Sequence, residues 1–329
     1  MKEIRFGEQL NNPVCLVLGF FDSVHFGHTK LINKATSYAK ENNIESAILT
    51  FDNNPFSVLK KDIDLIYSYS ERLIRFAEEN LDYVISATFN ESFMKTNKDD
   101  FLNIIFSSLN IKKIICGFDY TFGSYPMGDA SYLKEYCKNN NVEIEVVNEV
   151  LYKDKKISST LIRSLLKEGN IVEANICLDK PYRITGDVVH GHSIGSNLLG
   201  YPTANITVDK DKLLLKEGVY YTYVCINGIK YKAITNAGRR PTFDDDKLCI
   251  ETHIIDFESD LYGKTITVFF LDYLRDVIHF ENKDQLIDQL SKDKENVLKL
   301  KLWLNLDLQV LQTIFITMVT LIAMKWLVG

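Results

Sequence analysis

The chain has no C-x-x-C pair, no G-x-x-x-x-G-K-[ST] phosphate loop, no apolar leader and no surplus of basic charge, and each absence removes a class of function. Its six cysteines, Cys15, Cys116, Cys137, Cys177, Cys225 and Cys249, are scattered, which argues against a zinc site or a disulfide framework and for reduced core thiols in the cytoplasm. The opening MKEIRFGEQL carries no apolar signal segment, so no export is expected. A net charge of −6 provides no basic face for nucleic acid, so a negatively charged small substrate must be met by local donors. What remains, 46% hydrophobic and 25% charged residues over 329 positions, is a globular chain long enough for two domains.

The stretch around which the first half is organised is GFFDSVHFGH, Gly19 to His28. It follows VCLVLGF, an apolar run readable as a buried parallel strand. It precedes TKLINKATSYAK, where Leu31, Ile32, Ala35 and Ala39 recur at helical spacing. A strand-to-helix turn exposes backbone N–H groups that can hold phosphate oxygens, and histidines separated by two residues can face the same anion. Protonated or hydrogen-bond-donating imidazoles at His25 and His28 would stabilise charge building on a phosphate under attack.

SAILTF, DYVISATF, KKIICGF and EIEVVNEV continue as strands, separated by the amphipathic helices SERLIRFAEEN, DDFLNIIFSSL and ASYLKEYCKNN. This alternation predicts a doubly wound parallel sheet, with ligands beyond the carboxyl ends of its strands. TFDNNP (Thr50 to Pro55) and GFDYTFG (Gly117 to Gly123) follow two of those strands. In ISSTLIRSLLKEG, Ser158, Ser159 and Thr160 supply cap hydroxyls to a helix that carries Arg163 near its start, a combination suited to one anion.

Near Lys180 the texture changes. PYRITGDVV, GVYYTYVCI, IKYKAITNAG, KLCIETHIIDF and KTITVFFLDYL are β-branched and aromatic, which predicts an antiparallel barrel or sandwich. Within it, VVHGHSIGSNLLGYPTANI places Gly191, Gly195 and Gly200 where backbone can curl close to a phosphate chain. Thr203 and Asn205 alternate with Pro202 and Ala204, so hydroxyl and amide point the same way in an extended segment and suit Mg²⁺. A closing helix is expected from the stripe Leu286, Ile287, Leu290, Val297 and Leu298.

These strings together carry a resemblance. GFFDSVHFGH resembles the HxGH signature of the nucleotidylyltransferase superfamily and, more narrowly, that of the bacterial bifunctional riboflavin kinases/FMN adenylyltransferases. YPTAN is similar to the riboflavin kinase signature, and NAGRRPTF and CIETHIIDF resemble two further segments of that family. The resemblance spans about residues 10 to 300. It implies an FMN adenylyltransferase domain over 1–180 of nucleotidylyltransferase (Rossmann-like) fold, and a β-barrel riboflavin kinase domain over 181–300. ATP would be the co-substrate at both, with Mg²⁺, and riboflavin and FMN the acceptors. His25 and His28 would be catalytic, with Gly19, Phe20, Asp22, Gly117, Ser159, Thr160 and Arg163 on the nucleotide.

In the second domain the resemblance implies Glu251 as the base for the riboflavin 5′-hydroxyl, and Gly191, Gly200, Thr203 and Asn205 on the nucleotide, the last two also on the metal. It sets Asn236, Arg240, Pro241 and Arg275 around the flavin, while His253 reads as structural. The chain departs from the family pattern at Asn53 and Asn54, where F-x-P-H-P is usual, around GFDYTFG, which lacks basic neighbours, and in GSNLLG, which lacks an arginine. A kinase with a degenerate first domain, or a non-catalytic flavin-binding or membrane-tethered protein, are the alternatives. Residues 301–329 form an apolar extension whose 308–328 stretch just reaches the length of a membrane span; an anchor, an additional packed element and a non-native extension are all open.

Overall fold

Every residue from Val14 to Leu18 is buried, because this strand is covered on both faces. Cys15 and Val17 pack with Leu31, Ile32, Ala35 and Ala39 of one helix. Leu16 and Leu18 pack on the opposite side with Phe101, Leu102, Ile105 and Leu133. A computed structural model describes this arrangement over residues 1–189, 203–239 and 248–300.

The first half is a parallel sheet of β1 (Lys2–Arg5), β2 (Leu10–Leu18), β3 (Glu45–Phe51), β4 (Tyr83–Ala87), β5 (Leu109–Gly117) and β8 (Glu143–Val147), in the order β1-β4-β3-β2-β5-β8. Two short hairpins complete its strands, β6 (Thr121–Phe122) with β7 (Gly128–Asp129) and β9 (Leu151–Tyr152) with β10 (Lys155–Lys156). The helices are α1 (Phe26–Asn42), α2 (Pro55–Val58), α3 (Tyr69–Glu78), α4 (Glu91–Met94), α5 (Lys98–Ser108), α6 (Ala130–Asn139), α7 (Ser159–Glu168) and α8 (Ile171–Leu178). From β2 the chain steps outward through β3 to β4, then returns to the other side of β2 as β5. The crevice at the carboxyl ends of β2 and β5 is therefore the topological switch point, where such sheets bind ligands. The edge strand β1 has no counterpart in the sequence reading; only Ile4 in it is apolar and even that is half-buried, so no periodic signal marks it.

The second half is a closed antiparallel barrel of β11 (Tyr182–Val189), β12 (Thr203–Ile206), β13 (Gly218–Ile226), β14 (Ile229–Arg239), β15 (Leu248–Ile254) and β16 (Thr265–Arg275), ordered β11-β12-β15-β14-β13-β16. Alternate residues fill its interior. Tyr220, Val224, Ala233, Ala237, Ile250, Val268 and Phe270 are buried there, and the Thr222, Thr235 and Thr252 hydroxyls satisfy one another at 2.7 and 2.9 Å. Asn227 and Gly228, both at positive φ, make the two-residue turn between β13 and β14.

Helix α9 (Lys283–Lys299) lies against the outside of the barrel. Its fully buried Val297 meets Val219, Tyr221, Tyr223 and Ile234, and Lys232 Nζ donates to the carbonyls of Val297, Leu298 and Leu300 at its end. The expected stripe is only partly realised: Leu298 is 47% exposed. Among the described residues no helix is long and apolar enough to cross a membrane, and the 308–328 stretch lies outside them.

The two halves share a core. Tyr67 stacks on Tyr182 at 5.7 Å, and Leu65 exchanges backbone hydrogen bonds with Asp211 and Leu213 at 2.7 and 2.8 Å. Between them Lys212 is buried and paired with the Glu71 carboxylate, which also accepts from the N–H groups of Ser68 and Thr185. Burial pushes the Lys212 ammonium below its usual pKa range, opposed by Glu71. Lys212→Met strands the Glu71 charge and is expected to cost about 3–5 kcal/mol. Adding Glu71→Gln should restore part of that loss. Urea unfolding followed by circular dichroism reads both, and an unchanged midpoint for the single variant would refute the pair as a clasp between the halves.

Candidate active sites

The turn from β2 to α1 is held against its own backbone preference. Phe21 and Val24 have φ of 59° and 43°, a region costly for side chains of this size. Three guanidinium groups and one carboxylate fix it. Arg72 donates to the Phe20 carbonyl at 3.1 Å and Arg75 to the Val24 carbonyl at 3.3 Å. Asp22 accepts from the Ile66 N–H at 2.9 Å and from Arg163 at 2.6 Å, while Arg163 Nε donates to the Asp64 carbonyl at 2.9 Å. Burial raises the Asp22 carboxyl pKa, against the pull of Arg163 and Arg72. Gly19 is required sterically, since a Cβ there would sit 2.7 Å from the Phe21 ring.

That ring in turn packs edge-on to His28, 4.9 Å between centroids. His25 caps α1: its Nδ1 accepts the His28 N–H at 3.2 Å, and the two imidazoles stack at 3.6 Å, 9° from parallel. Gly27 is the small residue this stack demands, because a Cβ would come within 3.1 Å of the His25 ring. Burial pushes His25 down to about 4, and burial together with His25 pushes His28 well below its usual range. Both rings are therefore neutral at pH 7, and of the two options left open by the sequence this state suits hydrogen-bond donors. With Nδ1 accepting, the His25 proton resides on Nε2. Among the described residues, the buried His28 Nδ1 has no hydrogen-bond partner.

Both rings open onto a cavity of about 790 Å³. Its polar end is built from Gly19, His25, His28, Gly117, Asp119, Lys156, Ser158 and Ser159. Ser158 caps α7 by accepting the Leu161 N–H, and the Ser159 and Ser23 hydroxyls lie 3.0 Å apart. The starts of α1 and α7, each with unsatisfied amides and a positive dipole end, thus meet at one place. The rest of the wall is largely aromatic, with Phe51, Phe89, Phe93, Phe101, Tyr120 and Phe122.

Of the residues singled out by sequence, Gly19, Phe20, His25, His28, Gly117 and Ser159 line this cavity. Asp22, Thr160 and Arg163 do not. The Arg163 guanidinium converges on the buried Asp22 rather than on the cavity, because a desolvated carboxylate needs that partner more than water-facing space does. Lys156 was not singled out, although it lies beside the polar end, paired with Asp119 and over the Phe118 ring at 4.6 Å. Its signal in the sequence was a basic residue immediately before ISST. Asn53 and Asn54 are committed to backbone. Asn53 binds both the N–H and carbonyl of Phe89, and Asn54 caps α2 and donates to the Ile63 carbonyl.

On the barrel, pairing of β12, β15 and β14 sets Asn205, Glu251 and Asn236 side by side, and directly paired residues share a face. Their neighbours Ala204, Ile250, Thr252 and Ala237 turn inward, so this row faces outward. Thr203 donates its hydroxyl to Glu251 at 2.6 Å. Arg275 continues the row past Val219, but its guanidinium is spent on Asp293 of α9, at 2.7 and 3.1 Å. Gly191, Gly200, Arg240 and Pro241 lie outside the described residues.

Sequence comparison assigns each half. The sequence model of the family described as FAD synthetase matches residues 7–161, and that of riboflavin kinase matches 178–301. A bifunctional riboflavin kinase/FMN adenylyltransferase of Buchnera aphidicola is 36% identical, the match covering 89% of this chain and 95% of that one. The chain belongs to the bifunctional riboflavin kinase/FMN adenylyltransferase family. The Listeria monocytogenes member is 33% identical over 85% of this chain and 90% of its own length. A crystal structure described as a macrolide-efflux protein from Streptococcus pneumoniae superposes with a TM-score of 0.82 at 32% identity, covering 91% of this chain and 99% of that one.

The depressed imidazole pKa gives a direct test. The Cε1 proton resonance of His25 is expected to titrate with a midpoint at about 4, and a midpoint near the ordinary 6.5 would refute the buried neutral pair. Because the unfolded ring binds protons first, the fold should lose stability as pH falls from about 6.5 toward 4, through protonation of both histidines in the unfolded chain.

Proposed function

We propose that residues 181–300 phosphorylate riboflavin to FMN and residues 1–180 adenylylate FMN to FAD, each step consuming ATP. The carrying observation is the stacked, neutral His25–His28 pair at a cavity where two helix N-termini meet. In the adenylyl step the FMN phosphate attacks the α-phosphorus of ATP and pyrophosphate leaves. Imidazole N–H groups then stabilise charge on the oxygens of that phosphorus without placing a cation beside the nucleophile. The leaving phosphates are held by the α7 amides, Ser158, Ser159 and Lys156; Arg163 serves by fixing the start of α7 to the turn. The nucleophile is already a phosphate, so no covalent enzyme intermediate is needed. The aromatic end suits the flavin ring, which gains from stacking and edge contacts.

At the barrel, Glu251 orients the riboflavin 5′-hydroxyl and takes its proton as the γ-phosphate transfers. Thr203 and Asn205 present a hydroxyl and an amide oxygen on one face, oxygen ligands that fit Mg²⁺, with the Glu251 carboxylate beside them. Bound there, Mg²⁺ neutralises phosphate charge. The family resemblance assigns Gly191 and Gly200 to the nucleotide, and Asn236, Arg240 and Pro241 to the flavin. Arg275 contributes by docking α9 beside that pocket. A kinase-only enzyme is the second reading, raised by the departure of Asn53, Asn54 and the surroundings of GFDYTFG from the family pattern.

Product chromatography separates the readings. With FMN and ATP, wild type should yield FAD; the kinase-only enzyme would yield none while still converting riboflavin to FMN. His28→Ala should abolish FAD formation, by at least about a hundredfold, and spare FMN formation. Glu251→Ala should abolish FMN formation and leave FAD formation from supplied FMN intact. Equal loss of both activities in a folded His28→Ala protein would count against separate sites.

A further inference from the structure

We propose that Asn53 is a positioning residue for the flavin in adenylyl transfer, acting through Phe89. The proposal rests on the reading that the aromatic end of the cavity takes the flavin ring. Asn53 Nδ2 donates to the Phe89 carbonyl and Asn53 Oδ1 accepts the Phe89 N–H, both at 2.8 Å. The side chain thereby reproduces a pair of backbone sheet bonds across the loops that follow β3 and β4, and fixes the Phe89 backbone from both sides. The Phe89 ring is set edge-on against Phe51, 5.0 Å between centroids, and 5.8 Å from Phe93; all three line the cavity.

The rest of that loop has its own tether. Asp52 donates its N–H to the Ala87 carbonyl at 3.0 Å and accepts the Thr88 hydroxyl at 2.8 Å. Removing the Asn53 amide therefore leaves the loop's course in place and frees the aromatic wall alone. Phe89 follows β4, which is two strands, roughly 10 Å, from β2 and the histidines. The consequence falls on the flavin end of the cavity and not on the reacting phosphorus.

The experiment is initial-rate kinetics of FAD formation on the full chain, with FMN and ATP varied in turn, for Asn53→Ala and Phe89→Ala. Asn53→Ala should raise the KM for FMN about three- to tenfold, the worth of one to two net hydrogen bonds, with kcat and the KM for ATP within about twofold and riboflavin phosphorylation unchanged. Phe89→Ala should raise the KM for FMN at least as much. If Phe89→Ala raises it and Asn53→Ala does not, the positioning role is overturned while the flavin pocket stands. A fall in kcat, or an equal rise in the KM for ATP, in Asn53→Ala also overturns it. If Phe89→Ala leaves the KM for FMN unchanged, the aromatic end is not the flavin pocket and the proposal falls with that reading. If wild type forms no FAD, the adenylyltransferase reading itself fails. Should Asn53→Ala not fold, Asn53→Asp, which keeps an acceptor for the Phe89 N–H, carries the same test.

Discussion

The buried contact between Asp22 and Arg163 is the constraint on which the adenylyltransferase half turns. Asp22 belongs to the strained loop after β2, Arg163 to α7, and both bind the 64–66 segment through the Asp64 carbonyl and the Ile66 N–H. That segment is also where the barrel attaches, through Leu65 and the Asp211–Leu213 stretch. One carboxylate thus joins the histidine turn, the serine-capped helix and the route into the second half. A buried ion pair contributes little net stability when compared with an apolar replacement, but it is directional, and a misplaced partner is costly. Its value here is in geometry: it sets the starts of α1 and α7 against each other, which neither helix could do alone.

On the proposed reading the two sites meet the same problem, triphosphate beside flavin, with different physics. At the sheet, the donors sit in a desolvated crevice, where neutral imidazoles and helix-terminal amides are electrostatically stronger than they would be in water. Burial holds both histidines neutral, so on the proposed reading the site would give hydrogen bonds to a phosphate without a proton that would have to be lost first. At the barrel, the row of Asn205, Glu251 and Asn236 lies on an outward face beside Thr203, with Asn236 exposed and Thr203 and Glu251 half-buried. A hard cation and an ionised base are compatible with that setting and would be penalised in the first.

Much of this was legible in the sequence because the relevant signals are local. The run VCLVLGF, the histidine spacing and the serines before α7 each fix a strand, a turn or a cap within a few residues, and the change of texture near Lys180 marked the barrel. What escaped depends on partners far away in the chain. Arg163 looked like an anion ligand until Asp22, 141 positions earlier, claimed it. Arg275 looked like a flavin contact, yet its fork is filled by Asp293. Edge strand β1 has only Ile4 to advertise it and is held by pairing with β4. Lys156 was hidden in a K-K pair whose two members differ only in which one faces the cavity.

The same logic bears on whether Asn53 and Asn54 mark a decayed site. Decay would release the features that cost the fold most, since nothing would offset them. The turn keeps two residues with bulky side chains at positive φ, each costing on the order of 1–3 kcal/mol. It also keeps a buried carboxylate, and two histidines whose burial destabilises the protein as the medium acidifies. Phe21 and Val24 do join the core, but the Asp22 carboxylate and the two imidazoles bring it only groups that are costly to desolvate. The two asparagines, by contrast, have every side-chain hydrogen bond directed at backbone and tighten the wall of the cavity. Strain that is retained at the histidines and order that is added at the aromatic end describe a site built to hold its substrates, and the departure at residues 53 and 54 is better understood as a different way of building the wall than as its loss.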